Sequence, residues 1–244
     1  MFVKQAANTL EILEYFARRQ TPATLAEIAD DLGWPRSSTF NIVSTLAERG
    51  FLYEPRVRSG YYPTRRWLAL AQEVTNGGPV PEAVHRIAAD VAQETGETTV
   101  VGAPAGCFAV FVDVIESPHA VRYFARVGER VPIHASSIGR ALLAQMTPGE
   151  RQAIYRKITF EHYSDTTPLD AEAVEQRLKE AEDRGYHQSE AEYVPDLAGV
   201  AVSLPAASRH LSIVVVGPVS RCLDRRPWMA EVLRRCVAAA GPIE

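Results

Sequence analysis

Two clusters of hydrogen-bonding side chains set the chemistry this chain can do. The first is Arg36-Ser37-Ser38-Thr39-Phe40-Asn41, with Ser44 a turn later, directly after the break Gly33-Trp34-Pro35. On a helix that enters a major groove, Arg36 can give two bonds to guanine O6 and N7, and Asn41 can pair with adenine N6 and N7. Ser37, Ser38 and Ser44 can donate to a base or a phosphate, and Phe40 can touch a thymine methyl. Ser37 as a helix N-cap and Phe40 as a core side chain are the alternatives. The second cluster is His134-Ala135-Ser136-Ser137-Ile138-Gly139. There a helix begins, so the amides of Ser137, Ile138 and Gly139 can face an anion, or Ser136 can serve as an ordinary N-cap.

Charge separates two parts of the chain. Residues 1–78 carry 9 Lys and Arg against 8 Asp and Glu, and the rest carry 17 against 22, giving −4 in all. Within 36–66, six arginines (Arg36, Arg49, Arg56, Arg58, Arg65 and Arg66) face only Glu48 and Glu54. That is a small basic module on an acidic body, the electrostatic footprint of nucleic-acid contact or a solvated face. Other chemistries lack their signatures. The six histidines (85, 119, 134, 162, 187, 210) form no HxxxH or HExxH spacing, the three cysteines no CxxC, and there is no GxSxG elbow or P-loop. No metal, cofactor or catalytic group is expected. The odd cysteine count and the lack of a leader-like start or a long apolar run point to a reducing cytoplasm and no membrane.

The elements that must position these clusters read clearly in the first third. Residues 5–19 form a helix. Thr24-Leu25-Ala26-Glu27 is a capping box that opens a second, with Leu25, Ile28, Ala29 and Leu32 on its buried face. Gly33-Trp34-Pro35 turns the chain into a third helix, 36–49, whose apolar set is Thr39, Ile42, Val43 and Leu46; Gly50 closes it. Two short helices joined by a tight turn make a helix-turn-helix. Residues 51–54 and 60–62 flank a polar turn and predict a β-hairpin wing. Residues 64–71 read as a connecting helix, and Asn76-Gly77-Gly78-Pro79 marks a boundary. The expected divisions are a winged helix-turn-helix at 1–63, a linker helix at 64–78 and a second domain at 79–244.

Beyond it, helices are expected near 81–95, 137–146, 148–157, 170–184 and 226–240. Strands are expected at 98–103, 108–115, 120–127, 186–192, 199–204 and 211–217. Their irregular alternation favours an α+β domain with a mainly antiparallel sheet. Along 120–127, period-two alternation turns Val121, Tyr123, Ala125 and Val127 inward and Arg122 and Arg126 outward.

Four stretches, "TLAEIADDLGWPRSSTFNIVSTLAERGFL", "GYYPTRRWLALA", "RVGERVPIHASSIGRALLA" and "RGYHQSEAEY" followed by "LSIVVVGPVSR", resemble the IclR-type (isocitrate-lyase-regulator) bacterial transcription factors. The resemblance spans nearly the whole chain. It implies a winged helix-turn-helix, a linker helix and a GAF-like α+β effector-binding domain, working as a homodimer or homotetramer on double-stranded operator DNA. It also implies that phosphate contact comes from Arg56, Arg58, Arg65 and Arg66, because Asn41 and Ser44 stand where many members have Arg or Lys.

The same resemblance implies an effector site around Tyr123, His134, Ser136, Ser137, Ile138 and Gly139, completed by Ser189, Glu190, Gly199, Val214 and Val216. Gly199 stands where Cys is frequent, and Val214 and Val216 where sensors of small acids carry serines. The expected pocket has a polar mouth and a roomier, partly aromatic body, suited to an aromatic carboxylate or acyl derivative. An enzyme using the winged helix for oligomerisation and a DNA-organising protein without ligand are the other readings.

Overall fold

The structure, a computed structural model, describes residues 3–56, 59–76, 80–205 and 210–241. The chain divides into two units, Met1–Gly78 and Pro79–Glu244.

The first unit runs α1 (Lys4–Arg19), α2 (Leu25–Leu32), α3 (Arg36–Glu48), β1 (Leu52–Tyr53), β2 (Tyr62–Pro63) and α4 (Arg66–Asn76). Its capping box is formed: the Thr24 hydroxyl accepts from the Glu27 amide, and the Glu27 carboxylate accepts from the Thr24 amide at 2.8 Å. Those Thr24 bonds, with Arg19 beside them, hold the Glu27 carboxyl down at about 2. Gly33 ends α2 in the left-handed conformation, at φ 66°, where a side chain would be strained. The inward faces of α1, α2, α3 and β1 meet in one core built on Ile12, Phe16, Ile28, Val43, Leu46 and Leu52. Each large aliphatic side chain buried there contributes about 1.5–3 kcal/mol.

β1 and β2 pair antiparallel, so the wing is present. Its base is tied to the start of α2 by reciprocal backbone bonds between Ala23 and Tyr61, at 3.0 and 2.7 Å. A Cβ at Gly60 would overlap the Ala23 backbone. The connecting helix α4 starts later and runs further than its sequence pattern indicates. Trp67 Nε1 donates to the Phe51 carbonyl at 2.9 Å, and Thr64 Oγ1 donates to the Gly50 carbonyl at 2.6 Å.

The second unit runs α5 (Glu82–Thr95), β3 (Thr98–Ala105), β4 (Phe108–Ile115), β5 (Arg130–Pro132), α6 (Ser137–Leu143), α7 (Pro148–Tyr155), α8 (Ala171–Arg184), β6 (His187–Glu190), β7 (Leu197–Leu204), β8 (Leu211–Pro218), α9 (Val219–Cys222) and α10 (Arg226–Ala240). It is α+β: the six strands form one antiparallel sheet in the order β5-β4-β3-β8-β7-β6. Alternation along the central strands sorts their side chains between two cores. Ile213, Val215, Ala198 and Val200 pack with α5 and α10 residues such as Ile87, Val91 and Leu233. Val214 and Ala201 pack on the opposite face with Ile138, Leu142 and Leu178 from α6 and α8.

One expected strand is absent. Residues 120–127 form no ladder, and their carbonyls bond to side chains instead: Thr98 Oγ1 donates to Tyr123 O at 2.8 Å, and Arg221 to Val121 O at 3.0 Å. The inward set inferred from alternation splits accordingly. Ala125 is buried and Tyr123 half-buried, but Val121 and Val127 are exposed. The three-residue β5 and four-residue α9 are too short to leave a periodic signal. A capping box at Thr147 and Glu150, with Pro148 at the first helical position, opens α7 as its sequence predicts.

Candidate functional site

α3 presents a polar face to solvent. Arg36, Ser37 and Asn41 are exposed, and Ser38 and Ser44 are half-buried. Thr39, Val43 and Leu46 lie in the core, so burial of one stripe fixes which residues face out. The two alternatives raised by the sequence resolve plainly. Phe40 is 54% exposed rather than packed inside. Ser37 is not the N-cap, because Pro35 holds that position and no side chain caps the helix. Among the described residues, Arg36, Arg56 and Arg65 form no ion pair. Arg66 differs, since its guanidinium lies 4.9 Å from the Phe51 ring centroid, which holds a charge at the end of the reading helix. Arg58 lies outside the described residues. The face therefore offers uncommitted donors to a partner with many acceptors.

In the second unit a cavity of about 60 Å³ opens between α6, β6, β8 and the segments around Tyr123 and Tyr193. Seven of the residues singled out from the sequence come together on its wall: Tyr123, Ser136, Ser137, Ile138, Ser189, Val214 and Val216. The space is narrower than the roomy body expected. Tyr123 supplies its ring but no free proton, because its hydroxyl donates to Glu129 Oε1 at 2.9 Å; burial, then that bond, pushes its phenol pKa up.

Four others lie off the wall, each for a visible reason. Glu190 follows Ser189 on a strand, so it points to the opposite face, where it pairs with Arg226 at 3.5 Å. Gly139 lets α6 close on its preceding segment: a Cβ there would overlap the Ile133 backbone. Gly199 sits behind the wall, where a Cβ would come 2.9 Å from Ser137 Oγ and 3.1 Å from Ser189 Oγ. His134 is 2% exposed among Phe160 and Tyr163, with neither ring nitrogen hydrogen-bonded among the described residues. Burial, with Arg140 nearby, lowers its pKa to about 4.

The serine loop is committed in part to its own helix. Ser136 Oγ donates to Pro132 O at 2.7 Å and accepts from the Gly139 amide at 3.3 Å, so Ser136 is the N-cap of α6. Ser189 Oγ donates to Ser137 Oγ at 3.1 Å.

A buried ion pair absent from the sequence reading organises the site. Arg140 (1% exposed) meets Glu192 (4% exposed) through two bonds, at 2.5 and 3.1 Å. The same guanidinium donates to His134 O at 2.9 Å and Gln188 O at 2.5 Å. Glu192 also lies on the cavity wall, in a short loop between two left-handed residues, Ala191 (φ 51°) and Asp196 (φ 63°). Thr167 Oγ1 anchors that loop by donating to Glu192 O at 2.6 Å. Nothing local could have revealed the pair, whose members are 52 residues apart.

An exposed reading helix between a tight turn and a hairpin wing defines a DNA-binding protein of the winged helix-turn-helix class. The chain belongs to the IclR family: residues 5–56 match the IclR helix-turn-helix domain, and residues 72–240 match the bacterial transcriptional regulator IclR C-terminal domain. It is thus a DNA-binding transcriptional regulator and not an enzyme. It is 24% identical over 241 residues to the transcriptional repressor IclR of Escherichia coli K12, covering 92% of this chain and 83% of that one. It is 28% identical over 242 residues to the repressor AllR of Salmonella typhimurium, covering 91% and 84%. Its fold is similar to the Thermotoga maritima IclR structure, with a TM-score of 0.78 at 17% identity over 97% of both chains. An IclR homolog from Microbacterium hydrocarbonoxydans complexed with 4-hydroxybenzoate gives 0.72 at 23% identity, again over 97% of both. No helix among the described residues is long and apolar enough to cross a membrane.

Proposed function

We propose that this protein is a cytoplasmic, homo-oligomeric repressor whose operator affinity is set by a small aromatic carboxylic acid or acyl derivative bound in the cavity of the second unit. The observation that carries the reading is the coexistence of two unlike sites. One is an exposed reading helix with uncommitted Arg36, Ser37 and Asn41; the other is a cavity walled by Phe111, Tyr123, Val214 and Val216 with serine hydroxyls at one side. In this reading Arg36, Asn41, Phe40, Ser37, Ser38 and Ser44 address base edges and nearby phosphates. Arg56, Arg58, Arg65 and Arg66 supply phosphate contact. The ligand acts by binding the DNA-competent and DNA-incompetent states unequally. The likeness to a homolog complexed with 4-hydroxybenzoate supports an aromatic ligand class.

Operator selection from a random DNA library, repeated with benzoate-type acids and acyl derivatives, tests this. Enrichment of one two-fold-symmetric site, with retention changed by an aromatic compound, is the expected result. Recovery of DNA without sequence preference, insensitive to every compound, would leave a DNA-organising protein instead.

A further inference from the structure

The turn before the reading helix holds a hydrogen-bond donor that the folded chain leaves unused. We infer that the indole N–H of Trp34 binds a DNA phosphate when α3 enters the groove. Two tryptophans, Trp34 and Trp67, belong to the first unit, and both pack at the edge of its core. Their indole N–H groups differ. Trp67 Nε1 donates to the Phe51 carbonyl at 2.9 Å. Trp34 Nε1 has no acceptor among the described residues, and it is not one of their buried unpartnered nitrogens, so it reaches solvent.

Place and rigidity make this donor useful. Trp34 lies between Gly33, which ends α2 in the left-handed conformation, and Pro35, which caps α3. Its own amide donates to the Ala29 carbonyl at 2.9 Å, so the backbone that carries the ring is tied to α2. The side chain is half-buried against the core, and little freedom remains for it to lose when a partner arrives. It stands at the end of α3 that approaches base edges in this class of fold. An aliphatic side chain would fill the same seam, whereas the indole adds one donor and no acceptor. A duplex that covers the turn strips water from that N–H, and a desolvated donor needs a partner. Phosphate oxygens flank the groove there. A bond to one of them fixes register without reading sequence. Being neutral, it also displaces no counterion. Trp34 thus differs in kind from Asn41, which addresses a base, and from Arg56, which neutralises a phosphate.

Binding of the full chain and of its Trp34→Phe variant to a random-sequence duplex and to the selected operator, each at several salt concentrations, tests the inference. Trp34→Phe keeps a ring in the seam and removes the N–H. Affinity is expected to fall about tenfold, the scale of a lost hydrogen bond to a charged acceptor. The factor should be the same on both duplexes, with the salt slope and the thermal unfolding temperature unchanged. Trp34→Leu, which also lacks the donor, should lose at least as much. Unaltered affinity in either variant, a loss confined to the operator, a shallower salt slope, or a loss that tracks a lowered unfolding temperature would overturn it.

Discussion

The two sites treat their polar groups in opposite ways. On α3, Arg36, Ser37 and Asn41 are exposed, Arg36 has no ion-pair partner among the described residues, and Phe40 lies exposed beside them. Around the cavity many of the polar side chains already have partners: Arg140 with Glu192, Tyr123 with Glu129, Ser136 with Pro132 and Gly139, Ser189 with Ser137. The difference follows from the size of what each must meet. A duplex brings a dense array of acceptors and desolvates many side chains at once, so exposed donors wait for it cheaply. A small ligand brings one or two polar atoms. A buried cavity must therefore satisfy the rest of its hydrogen bonds internally.

The contrast can be broken most forcefully at Arg140. Arg140→Ala leaves Glu192 buried and unpaired and should destabilise the second unit by about 3–5 kcal/mol, measured by denaturant unfolding of the full chain. A loss below about 1 kcal/mol, the scale of an exposed pair, would show that the pair is not the closed network described.

Acid is the next lever. His134 and His187 are buried and neutral, with pKa values lowered by burial to about 4 and about 3. The unfolded chain binds protons at these positions below its ordinary histidine range, where the folded chain does not. Stability should therefore be fully present above about pH 6.5 and fall as pH drops towards 4, with a slope approaching two protons. Replacing His187 by Phe should remove about one proton from that slope; an unchanged slope would show that His187 is solvated.

The reading face is probed by smaller changes. Asn41→Ala should cost about 1–3 kcal/mol at one base position and relax specificity there, read by binding to a panel of single-base operator variants. Arg56→Ala should instead weaken binding to every sequence alike and reduce the salt slope by about one. If both variants lose affinity equally on operator and random DNA, the division between base reading and phosphate contact fails.

Much of this was legible in the residues, and unevenly so. Local rules found what local chemistry decides: the Thr24–Glu27 and Thr147–Glu150 capping boxes, the Gly33 turn, and the buried stripe of α3 all rest on partners within a few residues. Alternation along 120–127 misled because the pattern carries no information about whether a neighbouring strand is free to pair. There, side chains of Thr98 and Arg221 take the carbonyls that a ladder would use. Of the cavity, the serine segment showed itself by its helix-start chemistry. Glu192 did not, since its role depends on Arg140 and on a loop whose geometry is set by Ala191 and Asp196.

The start of α3 carries one more consequence. Its N-cap is a proline without side-chain capping, whereas α2 begins with a complete capping box. In the free protein, the opening turn of α3 is held by its own backbone and by buried Thr39, whose hydroxyl donates to Pro35 O at 3.2 Å, so any fraying is confined to the residues before Thr39. A phosphate docking on those amides would finish the helix. Part of the binding free energy would then be spent on ordering, and hydrogen exchange at Ser37 and Ser38 should slow sharply on operator while remaining fast on the bare protein. Recognition at this end becomes a small folding reaction templated by DNA.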